Sequence, residues 1–185
     1  TSTRSGTEAL LAGFEHLAGR PAGHALVAAA DAPQASMWDP IEHGMGAGSA
    51  AFVLSGFAVL AELEGHASYV SEYFGERFRP REEQVTRDLN VKKFSESSFV
   101  TNTTKAASSL MGKLRRKPED YAHVVLQQPD ARAPASAASK LGFQEPQLAA
   151  GMVSVNLGDL GAASVPIGLA AALEASKVGD RILVV

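Results

Sequence analysis

The chain has 185 residues, 45% hydrophobic and only 6% aromatic, which is long enough for one sizeable core built mostly from Ala, Val and Leu. A formal net charge of -3 gives no reason to expect nucleic acid or an anionic membrane as the main partner. No apolar run approaches the ~18 residues that a bilayer span requires, and a cytoplasmic location is the default expectation. The sequence contains no cysteine, so within it there is no disulfide, thiolate metal site or thiol nucleophile. It opens without Met and stops on an apolar stretch, so a fragment, a cleavage product or one part of a larger chain is expected.

In chain order, Ser5-Gly6-Thr7-Glu8 fits a capping box with Ser5 as N-cap, followed by a helix apolar on most sides and expected to be buried. Residues 24–30 read as a buried strand ended by Asp31-Ala32-Pro33. The loop to His43 carries the only Trp, Trp38. Gly44-Met45-Gly46-Ala47-Gly48 leads into a strand over 50–54, with 57–69 expected as its longer partner. That glycine run resembles a phosphate cradle only superficially, because it precedes a strand instead of joining a strand to a helix.

From 72 to 98 the residues are polar and charged without a sustained period. Arg79-Pro80-Arg81 argues against helix there, and a long loop or crossover is expected. A helical pattern resumes at Thr101 with Ala106, Ala107, Leu110, Met111 and Leu114 inward, and Pro118 stops it. A strand over 123–126, a short helix over 134–141 and a Gly142 exit follow. The stretch Asn156-Leu157-Gly158-Asp159-Leu160-Gly161 then makes a glycine-rich turn that opens an Ala/Leu-rich helix, and 181–185 reads as a final strand. A turn of this kind brings backbone N–H groups and one side chain, here Asp159, up to whatever lies above the helix start. Alternating strands and helices predict an α/β protein with a largely parallel sheet in each half.

Ser5-Gly6-Thr7-Glu8-Ala9-Leu10, Pro118-Glu119-Asp120-Tyr121, Gln128-Pro129-Asp130, Lys140-Leu141-Gly142-Phe143 and the turn and helix over 158–170 together resemble the thiolase superfamily. The branch they resemble is that of the archaeal-type 3-hydroxy-3-methylglutaryl-CoA synthases, with 3-oxoacyl-ACP synthase III as a neighbour. The resemblance implies a five-layered α/β fold of two similar halves, both incomplete here. The remainder of an N-terminal half would span 1–71, a crossover 72–98 and a C-terminal half 99–185, with the last strand truncated. It also implies an acyltransferase that uses a coenzyme A thioester.

The same resemblance assigns the family's catalytic Cys, His and Asn to Thr3, Gln127 and Asp159, and all three depart from the pattern. A threonine hydroxyl is a far weaker acid than a thiol and needs an adjacent base. Gln127 donates a hydrogen bond but cannot shuttle a proton, and an ionised Asp159 only accepts. Loss of one oxyanion donor alone typically costs ~3–4 kcal/mol of transition-state stabilisation. No confident catalytic residue remains.

The plain readings are a pre-helix hydroxyl for Thr3, a hydrogen-bonding wall residue for Gln127, and a carboxylate satisfying loop N–H groups for Asp159. His43 and His123 read as satisfied structural histidines. Arg115 and Arg116, with Arg77, Arg79, Arg81, Lys113 and Lys117 as further basic positions, are candidates to meet CoA phosphates at a tunnel mouth, against a plain reading as solvated charge. No metal is expected. Two function classes compete: a structural, non-catalytic pseudoenzyme subunit in a multi-subunit complex, and an active acyl-CoA condensing enzyme. The resemblance implies partners for the first: a homodimer or heteromer with an active thiolase-like subunit, and a small zinc-ribbon/OB-fold acyl-CoA-binding protein.

Overall fold

The computed structural model describes residues 3–20, 22–72, 77–89 and 96–185. Helix α1 (Ser5–Ala18) buries Gly6, Leu10, Gly13 and Leu17. Spacings of three and four put these on one stripe, so α1 is amphipathic and not buried on most sides as its composition suggested. The expected capping box does not form with Ser5 as N-cap. Arg4 holds that place: its carbonyl accepts the Glu8 N–H at 3.0 Å and its Nε donates to Glu8 Oε1 at 2.6 Å. An ion pair one turn apart takes the place of the Ser–Glu exchange.

Strands β1 (His24–Asp31) and β2 (Gly48–Ser55) pair antiparallel over their whole length, from His24 opposite Ser55 to Asp31 opposite Gly48. This corrects the expectation of a parallel sheet in the first half. Val27 and Leu54 point inward and pack with Leu10 and Leu17, while Leu26 and Val53 on the other face are more than 70% exposed. Gly13 makes the helix-to-sheet contact close, since a Cβ there would come within 2.7 Å of both Leu54 and Val27.

The expected partner strand over 57–69 is also corrected. β2 is already paired with β1, Ala58 turns the chain with φ 51°, and 57–72 runs on outside any strand or helix. It lies along α2 (Thr101–Leu114), held by side chains. Asn102 Nδ2 donates to Ser71 Oγ at 3.0 Å, Lys105 Nζ to the Tyr69 hydroxyl at 2.9 Å, and Lys113 Nζ to the His66 carbonyl at 3.1 Å.

The polar region over 72–98 lies partly outside the described residues. What is described contains β3 (Arg77–Phe78) and β4 (Arg87–Asp88), which pair antiparallel, and a π turn over Glu96–Val100 that leads into α2. Helix α2 buries Thr103, Ala107 and Met111, and ends at Arg115 in the left-handed region.

Strand β5 (His123–Val125) is parallel to β6 (Ile182–Val184), with Val124 opposite Leu183. Val124, Leu126 and Leu183 are at most 1% exposed, at the centre of the larger core with Tyr121 and Phe143. Between these strands come α3 (Ala133–Leu141), closed by Gly142 at φ 89°, then α4 (Glu145–Ala149), α5 (Ser154–Leu157) and α6 (Ser164–Ala175). Positive φ at the residue after a helix is the usual place for glycine. Helix α6 is central: it packs against β2 and α1 on one side and against β5 and β6 on the other. Gly168 permits this, because a Cβ there would lie 2.9 Å from the Gly151 carbonyl and from Val125.

Candidate functional site

Helix α6 begins where the two sheets approach each other, and the turn ahead of it gathers the residues of interest. Gly158 has φ 77° and Gly161 φ 54°, which lets the chain reverse twice within four residues. Asp159 is 5% exposed. Its backbone bridges to the glycine run before β2, with the Asp159 N–H donating to the Gly44 carbonyl at 2.7 Å and the Gly46 N–H returning to the Asp159 carbonyl at 2.9 Å. The glycines of 44–48 therefore serve close backbone contact: a Cβ on Gly46 would collide with the Leu157 carbonyl.

The Asp159 side chain is fully engaged. Oδ1 accepts the Gly161 N–H at 2.9 Å and Oδ2 accepts from Arg77 Nη1 at 2.8 Å. Arg77 also donates to Asp88 at 2.9 Å and to the Pro129 carbonyl at 2.8 Å, which ties the β3–β4 pair to the turn. Burial raises the Asp159 carboxyl above its ordinary pKa, although the Gly161 N–H and the Arg77 charge pull the other way. A second carboxylate, Asp31 at the end of β1, accepts the Ala162 N–H at 2.9 Å.

Gln127 follows β5 and donates through Nε2 to the Gly161 carbonyl at 3.1 Å. Gln127 and Asp159 thus meet at Gly161. Thr3 is exposed at the lead-in to α1, whose Gly6 abuts the Ala162 carbonyl and Pro166, so α1 starts beside the same turn. The partly buried Gln127 amide and the buried Asp159 carboxylate both hold the turn.

A cavity of about 450 Å³ opens beside it, lined among others by Ile41, His43, Met45, Arg77, Ser154 and Asp159. His43 is exposed and reaches the cavity wall, and His123 Nδ1 is buried without a partner among the described residues. His123 thereby departs from the satisfied structural histidine that the sequence suggested. Arg115 and Arg116 do not line this cavity. They precede β5, whereas Gln127 follows it, and Arg116 Nη2 lies 3.9 Å from Glu64. Among the described residues no group of three or more His, Asp or Glu side chains is arranged to hold a metal ion, and no helix is long and apolar enough to cross a membrane.

Sequence reasoning missed Gln128. It is 1% exposed; its Oε1 accepts the N–H groups of Val153 and Ser154, both at 2.9 Å, and its Nε2 donates to the Gly151 carbonyl at 2.6 Å. It thereby shapes the loop that carries α5 to the cavity. The available signal was a second glutamine, two residues past the apolar run 124–126. The Arg77–Asp159 pair was missed as well, because 82 residues separate its members.

The model of the 3-oxoacyl-[acyl-carrier-protein] synthase III C-terminal family matches residues 111–185. A hydroxymethylglutaryl-CoA synthase from Pyrococcus horikoshii is 33% identical over 182 residues, which cover 97% of this chain and 51% of that protein. The corresponding protein of Thermoplasma volcanium is 32% identical over 162 residues, 88% of this chain and 46% of its own. The chain therefore spans about half the length of the curated relatives it matches. Among solved structures, an HMG-CoA synthase complexed with CoA superposes with a TM-score of 0.82 at 19% identity, over 96% of this chain and 49% of that one. A 3-oxoacyl-[acyl-carrier-protein] synthase III from Aquifex aeolicus superposes with a TM-score of 0.73 at 20% identity, over 98% and 59%. These structures share the α/β fold described above. These 185 residues contain no cysteine, and by these matches the chain belongs to the thiolase superfamily, in its archaeal-type HMG-CoA synthase-like branch.

Proposed function

We propose that the chain is a thiolase-like, HMG-CoA synthase-like subunit of an acyl-CoA-using acyltransferase complex, and that it contributes structure without turning over substrate by itself. The observation that carries this reading is the state of Asp159 and Gln127. An ionised carboxylate held between Arg77 and the Gly161 N–H accepts and does not donate, and Gln127 spends one of its two amide N–H donors on the Gly161 carbonyl and cannot shuttle a proton. With a Thr3 hydroxyl at the remaining family position, a thiol nucleophile and a proton shuttle are lacking, and the carboxylate at the Asn position supplies no oxyanion donor. The cavity beside Asp159 fits a role in holding a coenzyme A thioester for a partner, and an active thiolase-like chain is the partner the reading calls for.

The test has two parts. Incubation with isotopically labelled acetyl-CoA followed by intact-mass analysis gives no covalent adduct, and the native particle contains a second, cysteine-bearing thiolase-like chain. An acyl adduct on Thr3, or condensation by the unmodified chain at a rate comparable to an intact family enzyme, overturns the proposal in favour of an active acyl-CoA condensing enzyme. Restoring Thr3→Cys, Gln127→His and Asp159→Asn together is the minimum needed before any condensation is seen in a chain of full family length.

A further inference from the structure

At the end of the β5–β6 sheet away from Gln127, hydrogen-bond donors outnumber acceptors. Arg116, just past α2, and Arg181, just before β6, both reach the carboxylate of Glu64 on the segment 57–72: Arg181 Nε lies 3.1 Å from Oε1 and Arg116 Nη2 only 3.9 Å from Oε2. Arg116 Nε is buried and has no partner among the described residues, and neither has the hydroxyl of Tyr121, a residue 5% exposed. Tyr121 is within electrostatic reach of Glu64, Arg116 and Arg181, and burial first, then Glu64, raises its pKa. Of the other charged groups here, Asp120 is engaged by the Lys117 N–H at 2.7 Å, and His123 adds one more unpartnered buried nitrogen.

Buried donors without acceptors call for an explanation in a folded protein. A planar carboxylate offers two oxygens and here serves one arginine well and the other poorly. A tetrahedral oxyanion offers more oxygens, in directions a carboxylate lacks, and is the usual counterpart of paired guanidinium groups. Glu64 can give way, since its side chain is 45% exposed and it sits on chain that belongs to no strand. We infer that Arg116, Arg181 and Tyr121 form a binding site for a tetrahedral phosphate group, inorganic phosphate or a phosphomonoester, which exchanges with the Glu64 carboxylate. The site is separate from the cavity at Asp159, and the inference does not rest on the function proposed above.

The test is calorimetric titration of the purified chain with inorganic phosphate, and in a second arm with glycerol 2-phosphate, at an ionic strength held near about 0.15 M. The expected result is saturable binding at one site, weakened about tenfold by Tyr121→Phe, as the loss of a hydrogen bond to a charged group predicts. Glu64→Gln removes the competing carboxylate and tightens binding severalfold. Acetate, titrated in the same way, does not saturate. Binding in both arms identifies a site open to esters, and binding of inorganic phosphate alone a closed one; either supports the inference. No saturable binding in either arm overturns it, as does binding that both Tyr121→Phe and Glu64→Gln leave unchanged. Tyr121→Phe keeps the ring that packs edge-on against Phe143, so folding is preserved and the comparison stays valid.

Discussion

Gln128→Leu tests whether the loop beside the cavity hangs on a single amide. The substitution keeps apolar volume under α6 but leaves three backbone groups without partners: the Gly151 carbonyl and the N–H groups of Val153 and Ser154. A buried polar group left unsatisfied costs about 1–3 kcal/mol. Gly151 and Ser154 are buried and Val153 is partly so, which puts the total at roughly 3–5 kcal/mol when the lower values are taken for the group nearest solvent. For a chain of this size each kcal/mol lowers the melting temperature by about 2–4 °C, so a fall of about 10 °C is expected by circular dichroism. Gln128→Glu refines the test. Its carboxylate can still accept from Val153 and Ser154, but the second oxygen must be protonated to face the Gly151 carbonyl. That variant binds a proton more tightly folded than unfolded, so its deficit is small at acidic pH and grows as pH rises. A Gln128→Leu chain within about 1 kcal/mol of the parent would refute the reasoning.

Arg77→Met leaves Asp159 as a buried carboxylate with only the Gly161 N–H for support, and about 3 kcal/mol of stability is lost at neutral pH; adding Asp159→Asn recovers much of it, and a chemical denaturation series in which the double variant is no better than the single contradicts the pairing. Because folding raises the Asp159 pKa, the folded state holds that proton more tightly than the unfolded one. The stability tied to this proton is present at low pH and lost as pH rises through and above the ordinary carboxylate range of about 4, so the parent weakens relative to Asp159→Asn over that interval, and melting curves from acidic to neutral pH read the trend. Gly6→Ala drives a methyl group into the Ala162 carbonyl and Pro166; the α1–α6 contact opens, destabilising the chain by about 2 kcal/mol or more, whereas Gly19→Ala, with open space around it, changes melting little. Tyr121→Phe in phosphate-free buffer removes a buried unpartnered hydroxyl and is neutral or stabilising by up to about 1 kcal/mol; a clear loss of stability instead would mean that the hydroxyl has a partner in solution.

Local signals in the chain were sufficient to place α1, β1, α3 and β6 within a residue or two and the start of α2, whose end at Leu114 comes three residues before the expected one because Arg115 takes up the left-handed conformation ahead of Pro118. Apolar spacing and Gly142 act through the φ and ψ preferences of the residues that carry them, and those preferences do not depend on distant chain. The order of such motifs was also enough to indicate the family. Three features were decided only by tertiary structure. Strand β2 had two apolar candidates for a partner, β1 and 57–69, and alternation alone does not choose between them. The close packing of Gly13 against Val27 and Leu54 favours the antiparallel β1 pairing and leaves the later segment to run along α2. In Gln127-Gln128 the two side chains are chemically identical, and only the direction in which the chain leaves β5 sends one to the Gly161 carbonyl and the other beneath α6. Arg77 read as one of several loop cations until folding brought Asp159 to it across 82 residues. Backbone preference is written locally, but the choice of contact partner is a competition among distant surfaces, and it is settled by which arrangement leaves the fewest buried groups unsatisfied and the fewest gaps.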